Sequence, residues 1–125
     1  MILRSKRSRA CDISMSVKKK VWERDKHHCI YCGTPYAMPN AHFLPRGSKG
    51  GLGIEQNIVT LCSKCHNMLD NSKYRDKLLV EVRDYLIKKY PSWEDSYNCA
   101  YKALTTHSNH WLKQMDKKLY YDKEY

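Results

Sequence analysis

Between Lys73 and Tyr90 the apolar residues Leu78, Leu79, Val82, Leu86 and Tyr90 recur three and four positions apart. That spacing predicts a long amphipathic helix over about 73–90. Pro91 ends it, because the ring cannot continue a helix. Ser92 with Asp95 resembles a capping box, and Trp93, Tyr97, Ala100, Tyr101 and Leu104 keep a helical spacing that Trp111, Leu112, Met115 and Leu119 prolong. This C-terminal half reads as a helical buttress. Near the other end, Ser14 or Ser16 can cap a short helix through Val17, Val21 and Trp22 to about Asp25. The middle lacks a long period. Short strands are predicted near 41–44 and 58–61, with a helix starting near Ser63. The run Gly47-Ser48-Lys49-Gly50-Gly51-Leu52-Gly53 is a loop, since glycine loses too much entropy in a regular element.

Length and charge narrow the picture. The chain has 125 residues, enough for one domain with a thin core. Its 23 Lys+Arg outweigh 13 Asp+Glu, for a formal net charge of +10. That excludes an acidic disordered activator and favours an anionic partner such as nucleic acid. Residues 1–28 alone carry nine Lys/Arg against three acids. Within them, 1–13 read as a basic flexible arm. No apolar run is long enough to span a bilayer, so no membrane association is expected. Charge near Met1 is not followed by an apolar stretch, so no secretory signal is expected either. The expected location is therefore the cytoplasm, where six cysteines point to metal binding or reactivity rather than disulfides.

Four of those cysteines form two C-x-x-C pairs, Cys29/Cys32 and Cys62/Cys65. Each pair can set two thiolates on one side of a tight turn. Together they complete the tetrahedral shell that zinc accepts. A closed tetrathiolate shell has no position for a reactive water, so this zinc is expected to be structural and to contribute folding free energy. A redox C-x-x-C, a disulfide pair and an iron–sulfur cluster are the other readings, and two matched pairs in one small chain favour zinc. Cys99 falls on the apolar face of a helix and reads as a core residue. Cys11 has no evident role.

The segment enclosed by the pairs reads Ala41-His42-Phe43-Leu44-Pro45-Arg46-Gly47, then Asn57-Ile58-Val59-Thr60-Leu61-Cys62-Ser63-Lys64-Cys65-His66. With the lead-in Val21-Trp22-Glu23-Arg24-Asp25 before Cys29-Ile30-Tyr31-Cys32-Gly33, the chain resembles the HNH endonuclease family, whose active site is a ββα-metal finger. The resemblance covers roughly 14–72. It implies the His–Asn–His skeleton on His42, Asn57 and His66. His42 would be the general base, its ring aimed by a backbone carbonyl of the Gly-rich loop. Asn57 would pin that loop. His66 would bind a catalytic divalent ion (Mg2+, Mn2+, Ni2+ or Zn2+), and Asp70, four residues on and on the same helical face, could share it. The implied partner is double-stranded DNA, and small proteins of this kind suggest a phage or bacterial source. Arg46, Lys49 and Lys18 are candidate phosphate contacts. His27, His28, His107 and His110 read as surface residues.

One position departs from the family pattern. The residue before the base is usually Asp or His, a second metal ligand; here it is Ala41. Either Asp70 and water complete the shell, or metal binding is weak and needs DNA, or the nuclease is degenerate. Two functions follow: a metal-dependent endonuclease, or a non-catalytic zinc module that binds nucleic acid. The expected fold is α+β: a core over 14–72 made of one N-terminal helix and a ββα finger stapled by a four-cysteine zinc site, with a helical extension over 73–125. Base preference, oligomeric state and nicking against double-strand cleavage are not legible in these residues.

Overall fold

A computed structural model describes residues 6–45, 51–71 and 73–107. The elements run α1 (Lys6–Cys11), α2 (Met15–Arg24), β1 (Met38–His42), β2 (Ile58–Leu61), α3 (Ser63–Asn71), α4 (Arg75–Lys89), a 3-10 turn (Pro91–Trp93) and α5 (Glu94–His107). The α+β class and the order strand, strand, helix match the expected finger. Trp111, Leu112, Met115, Leu119 and His110 lie outside the described residues.

Local signals explain most boundaries. Ser14 is the N-cap of α2, its hydroxyl accepting from Val17 N at 3.2 Å. Tyr90 caps α4, and Pro91 opens the next turn, where a missing N–H costs nothing. The arm expected over 1–13 contains helix α1, whose Cys11 is buried. One expectation shifts. Cys99, expected in the core, is exposed, while its neighbours Tyr97 and Ala100 are buried. The helix phase is right, but position 99 sits on its outer face.

β1 pairs antiparallel with β2 and begins three residues before the expected strand. Met38 faces Leu61 and Ala41 faces Val59, so β1 carries one extra residue, a β-bulge. Pro39 sits inside that bulge, where a missing N–H is tolerated. After it, Ala41 and Phe43 point into the core and His42 points out. Beyond the strand's end, Phe43 N still donates to Asn57 O at 2.8 Å.

A two-stranded sheet is marginal by itself. Here Phe43, Val59, Leu61 and Leu69 share one buried cluster with Leu78, Leu79, Val82 and Leu86 of α4 and Tyr97 of α5. Phe43 and Tyr97 meet edge to face, ring centroids 6.0 Å apart. Finger and C-terminal helices thus bury a common core.

Candidate metal centre and active site

The two C-x-x-C pairs sit on matching turns. Gly33, at φ 83, lets the first turn close, with Gly33 N donating to Cys29 O at 3.0 Å. Ile30 N donates to Thr60 O, tying this turn to β2, while the second turn leads straight into α3. In each turn the first sulfur accepts from the N–H three residues on: Cys32 N to Cys29 Sγ at 3.5 Å, and Cys65 N to Cys62 Sγ at 3.4 Å. All four Sγ atoms lie within 4.8 Å of one another, and Cys32 Sγ is 3.6 Å from Cys62 Sγ. A tetrahedron of Zn–S bonds near 2.3 Å separates its sulfurs by about 3.8 Å. The donor set and its spacing therefore fit one tetrathiolate metal site.

The electrostatics point the same way. Burial opposes the Cys29 thiolate, yet the N–H groups of Cys32, Cys62 and Tyr31 bring its pKa down to about 7. Burial and hydrogen bonds with its fellow cysteines push Cys65 up. Four sulfurs this close cannot all ionise without a cation among them.

His42 ends β1, paired with Ile58 and half-buried. Its Nε2 lies 2.9 Å from the carbonyl oxygen of Cys11. A carbonyl only accepts, so Nε2 is the donor in this contact. The orienting carbonyl was expected from the Gly-rich loop, of which residues 46–50 lie outside the described residues; the Cys11 carbonyl is a contact that expectation did not include.

Asn57 is buried, and its amide spans the mouth of the loop. Oδ1 accepts from Leu44 N at 2.8 Å, while Nδ2 donates to Leu44 O at 3.1 Å and to Leu52 O at 2.9 Å. Every donor and acceptor of that side chain acts on the loop's two ends.

His66 stands in the first turn of α3, and its Nε2 lies 3.5 Å from Asp70 Oδ2. Both side chains are open to solvent, 32% and 58% exposed. Imidazole and carboxylate one turn apart can grip one divalent cation. Among the described residues, the four cysteines are the one group of three or more potential ligands, so no third such side chain joins His66 and Asp70. Ala41 is fully buried in the core beside Val59 and Phe43. Arg46 and Lys49 lie outside the described residues, and Lys18 is partly buried on α2, with Lys19 and Lys20 more exposed.

A further set of residues has a role that the sequence reading did not assign. Asp25, 1% exposed, accepts from Arg24 at 2.7 and 3.0 Å, from Thr60 N at 2.8 Å and from Tyr85 Oη at 2.5 Å. Arg24 also donates to the carbonyls of Glu55 and Ile58, each at 2.7 Å. Burial opposes the Arg24 charge, but Asp25 more than restores it, leaving the guanidinium's pKa raised. The rings of Tyr85 and Tyr90 lie 5.7 and 5.8 Å from that guanidinium. A cation and an anion adjacent in sequence, just before the first Cys pair, were the available signal.

Comparison with known proteins agrees with the geometry. Residues 29–72 match the HNH endonuclease family model. Over 55 residues the chain is 29% identical to a CRISPR-associated endonuclease Cas9 of Corynebacterium diphtheriae, covering 42% of this chain and 5% of that protein. Over 49 residues it is 35% identical to Anaredoxin of Nostoc sp., covering 39% of this chain and 64% of that protein. The chain thus spans less than two thirds of either relative. No solved structure matches it. Residues 29–72 are an HNH domain, built as a ββα finger with four clustered cysteines.

Proposed function

We propose that this HNH domain is a metal-dependent endonuclease that hydrolyses phosphodiester bonds in double-stranded DNA. The observation that carries the reading is the placement of His42: partly exposed at the end of β1, beside the loop whose two ends Asn57 pins at Leu44 and Leu52. His42 takes a proton from water as its oxygen attacks phosphorus. The bond to the 3′ oxygen breaks, and that oxygen leaves as a hydroxyl after gaining a proton from solvent. Asn57 holds the loop that follows His42, keeping the base where the phosphate arrives. His66 and Asp70 are the residues that would hold a divalent cation, which supplies positive charge for the phosphate and the departing oxygen. Mg2+, Mn2+, Ni2+ and Zn2+ are all compatible with this donor pair. The four cysteines would hold a structural Zn2+, whose thiolate ligands suit a reducing, cytoplasmic setting.

Net charge of +10 supports a polyanionic partner. Lys18, Arg46 and Lys49 remain the proposed phosphate contacts, and the chain's boundaries as 1–13, 14–72 and 73–125 remain the proposed division of labour. A second reading has one observation in its favour. Ala41 is buried and no third ligand joins His66 and Asp70 among the described residues, as expected of a non-catalytic nucleic-acid-binding module.

Supercoiled plasmid separates the two. The protein is incubated with plasmid and each metal in turn, beside His42→Ala. Nicking or linearisation that vanishes in the variant supports the enzyme. A gel shift with no cleavage in any metal sinks it and leaves the binder. Either way, DNA affinity falls steeply as salt rises.

A further inference from the structure

We propose that helix α1 is a docked phosphate clamp, with Arg9 binding a duplex backbone phosphate next to the one at His42. This rests on reading the site as one that acts on DNA. Three observations carry it. First, α1 reads Lys6-Arg7-Ser8-Arg9-Ala10-Cys11, with three cations and no acid in six residues. Charge alone gives only a general attraction to a polyanion, so its placement decides. Second, the end of α1 is seated beside the proposed site. Ala10 O accepts from Gly53 N at 3.0 Å, and Cys11 O lies 2.9 Å from His42 Nε2. The fit leaves no room for a side chain at 53, where a Cβ would run into Asp12 O and stand 2.6 Å from Asp12 C. Third, Arg9 is exposed, whereas Cys11, about 200° further round the helix, is buried. Among the described residues no ion pair engages the Arg9 guanidinium.

Arg9 stands two residues, about 3 Å of helix rise, behind the carbonyl that meets His42. Phosphates along one strand of a duplex follow one another every ~3.4 Å of its axis. A strand with one phosphate at His42 therefore brings a neighbour within an arginine's reach. The planar guanidinium can grip two phosphate oxygens at once. A helix end would repel that phosphate through its unpaired carbonyls. Here Arg9 O accepts from Asp12 N at 3.1 Å, Ala10 O from Gly53 N, and Cys11 O meets His42, so this end presents none of the three. A contact of this kind sets the register of the duplex and reads no base.

The test uses the full, zinc-loaded chain. Arg9→Gln removes the fork and leaves the docking contacts, which are made by the backbone. Arg9→Lys keeps the charge. Lys102→Gln removes one charge from an exposed position on α5 instead. All three should match wild type in circular dichroism and bound zinc. Affinity for a short duplex is measured across a salt series, with no catalytic divalent ion added so that nothing is cut. For Arg9→Gln the slope of log affinity against log salt should shrink by about 0.9, the share of one phosphate. Since the two lines converge near ~1 M, affinity at ~0.1 M should fall about eightfold. Arg9→Lys should keep the slope, and Lys102→Gln should move it by less than about 0.3. Gly53→Ala unseats the end of α1 without removing charge, and adding Arg9→Gln to it should cost nothing further. In plasmid nicking, KM should rise in Arg9→Gln while kcat holds. An unchanged slope in Arg9→Gln overturns the proposal. So does an equal loss in Lys102→Gln, which assigns the effect to net charge, or an Arg9 effect that survives in Gly53→Ala. A protein that shows the expected slopes yet nicks nothing supports the clamp and sinks only the nuclease reading. One that does not bind the duplex sinks both.

Discussion

Asp25→Ala should cost about 4 kcal/mol of stability, a large share of what a domain this size commonly has. The estimate comes from what the carboxylate holds. It is fully buried and accepts from the Arg24 guanidinium twice, from Thr60 N and from Tyr85 Oη. Removing one member of a buried ion pair costs about 3–5 kcal/mol, because the other charge is left behind. Arg24 keeps the carbonyls of Glu55 and Ile58, which softens that loss. The stranded Thr60 N–H adds about 1–3 kcal/mol, in part shared with the first figure because the groups are neighbours. Thermal and urea unfolding at saturating zinc measure the sum, with a Tm drop of roughly 15 °C. Asp84→Ala is the control: its carboxylate is 60% exposed beside Arg83, and losing it should cost less than about 0.5 kcal/mol. Replacing both partners, Arg24→Met with Asp25→Leu, should not recover wild-type stability, since the Glu55 and Ile58 carbonyls then lose their donor. An Asp25→Ala protein within about 1 kcal/mol of wild type would refute the view that this carboxylate ties α2, β2 and α4 together.

Cys62→Ser should lower bound zinc, read by elemental analysis, from one per chain to a small fraction. It should also unfold the finger, visible as lost circular dichroism, because metal affinity is folding free energy here. Asn57→Ala leaves Leu44 N without its acceptor and frees the loop at both ends. It should cost about 2 kcal/mol and cut plasmid cleavage at least about tenfold through loss of preorganisation, read from unfolding curves and nicking rates. Stability should also fall above pH 10. Burial, first of all, raises the phenols of Tyr85, Tyr90 and Tyr97 above their ordinary 10.0. Below that value folded and unfolded chains are equally protonated and the stabilisation is whole. Above it the unfolded chain ionises first, and the contribution drains away as pH rises towards the folded values. Urea midpoints against pH should show this, and Tyr97→Phe should flatten the decline.

What was legible in the sequence had a fixed local spacing. The C-x-x-C pairs, the 3.6-residue stripe through Leu78, Leu79, Val82 and Leu86, and Ser14 before Val17 each encode their structure within a few residues. The strand at 38–42 was harder, since a bulge adds a residue and breaks the alternation that marks a strand. Contacts between distant segments left no periodic trace. The Cys11 carbonyl against His42 spans 31 residues and uses a backbone atom, which no side-chain pattern records. Gly53 looked like one more loop glycine, though its lack of a Cβ answers to Asp12. At the N-terminus four Lys/Arg in ten residues suggested a solvated arm, and the burial of Cys11 at its far end left no mark in the charge pattern. At Ala41 the departure from the family pattern was visible, but its consequence was not. The side chain lies in the core, among Val59 and Phe43.

The C-terminal helices look dispensable if the finger is taken as complete, and the hydrogen bonds say otherwise. The turn at 55–57 carries Asn57 into place, and it lies between two strands too short to hold it. Its polar groups are handed to other elements. Glu55 O goes to Arg24 of α2, the Glu55 carboxylate to Tyr90 Oη at 3.0 Å, and Gln56 O to Tyr97 Oη of α5 at 2.7 Å. Asn57 N closes the turn on Ile54 O. Three phenol or guanidinium donors therefore converge on Glu55 and Gln56, the two residues before the loop-pinning amide. Because Tyr97 also packs edge-on against Phe43, the residue after His42, α5 braces both sides of the proposed site at once. Rigid support of this kind is what the proposed site, with His66 and Asp70 as its two candidate ligands among the described residues, would require. The fewer groups the metal can organise, the more of the geometry the fold must fix beforehand.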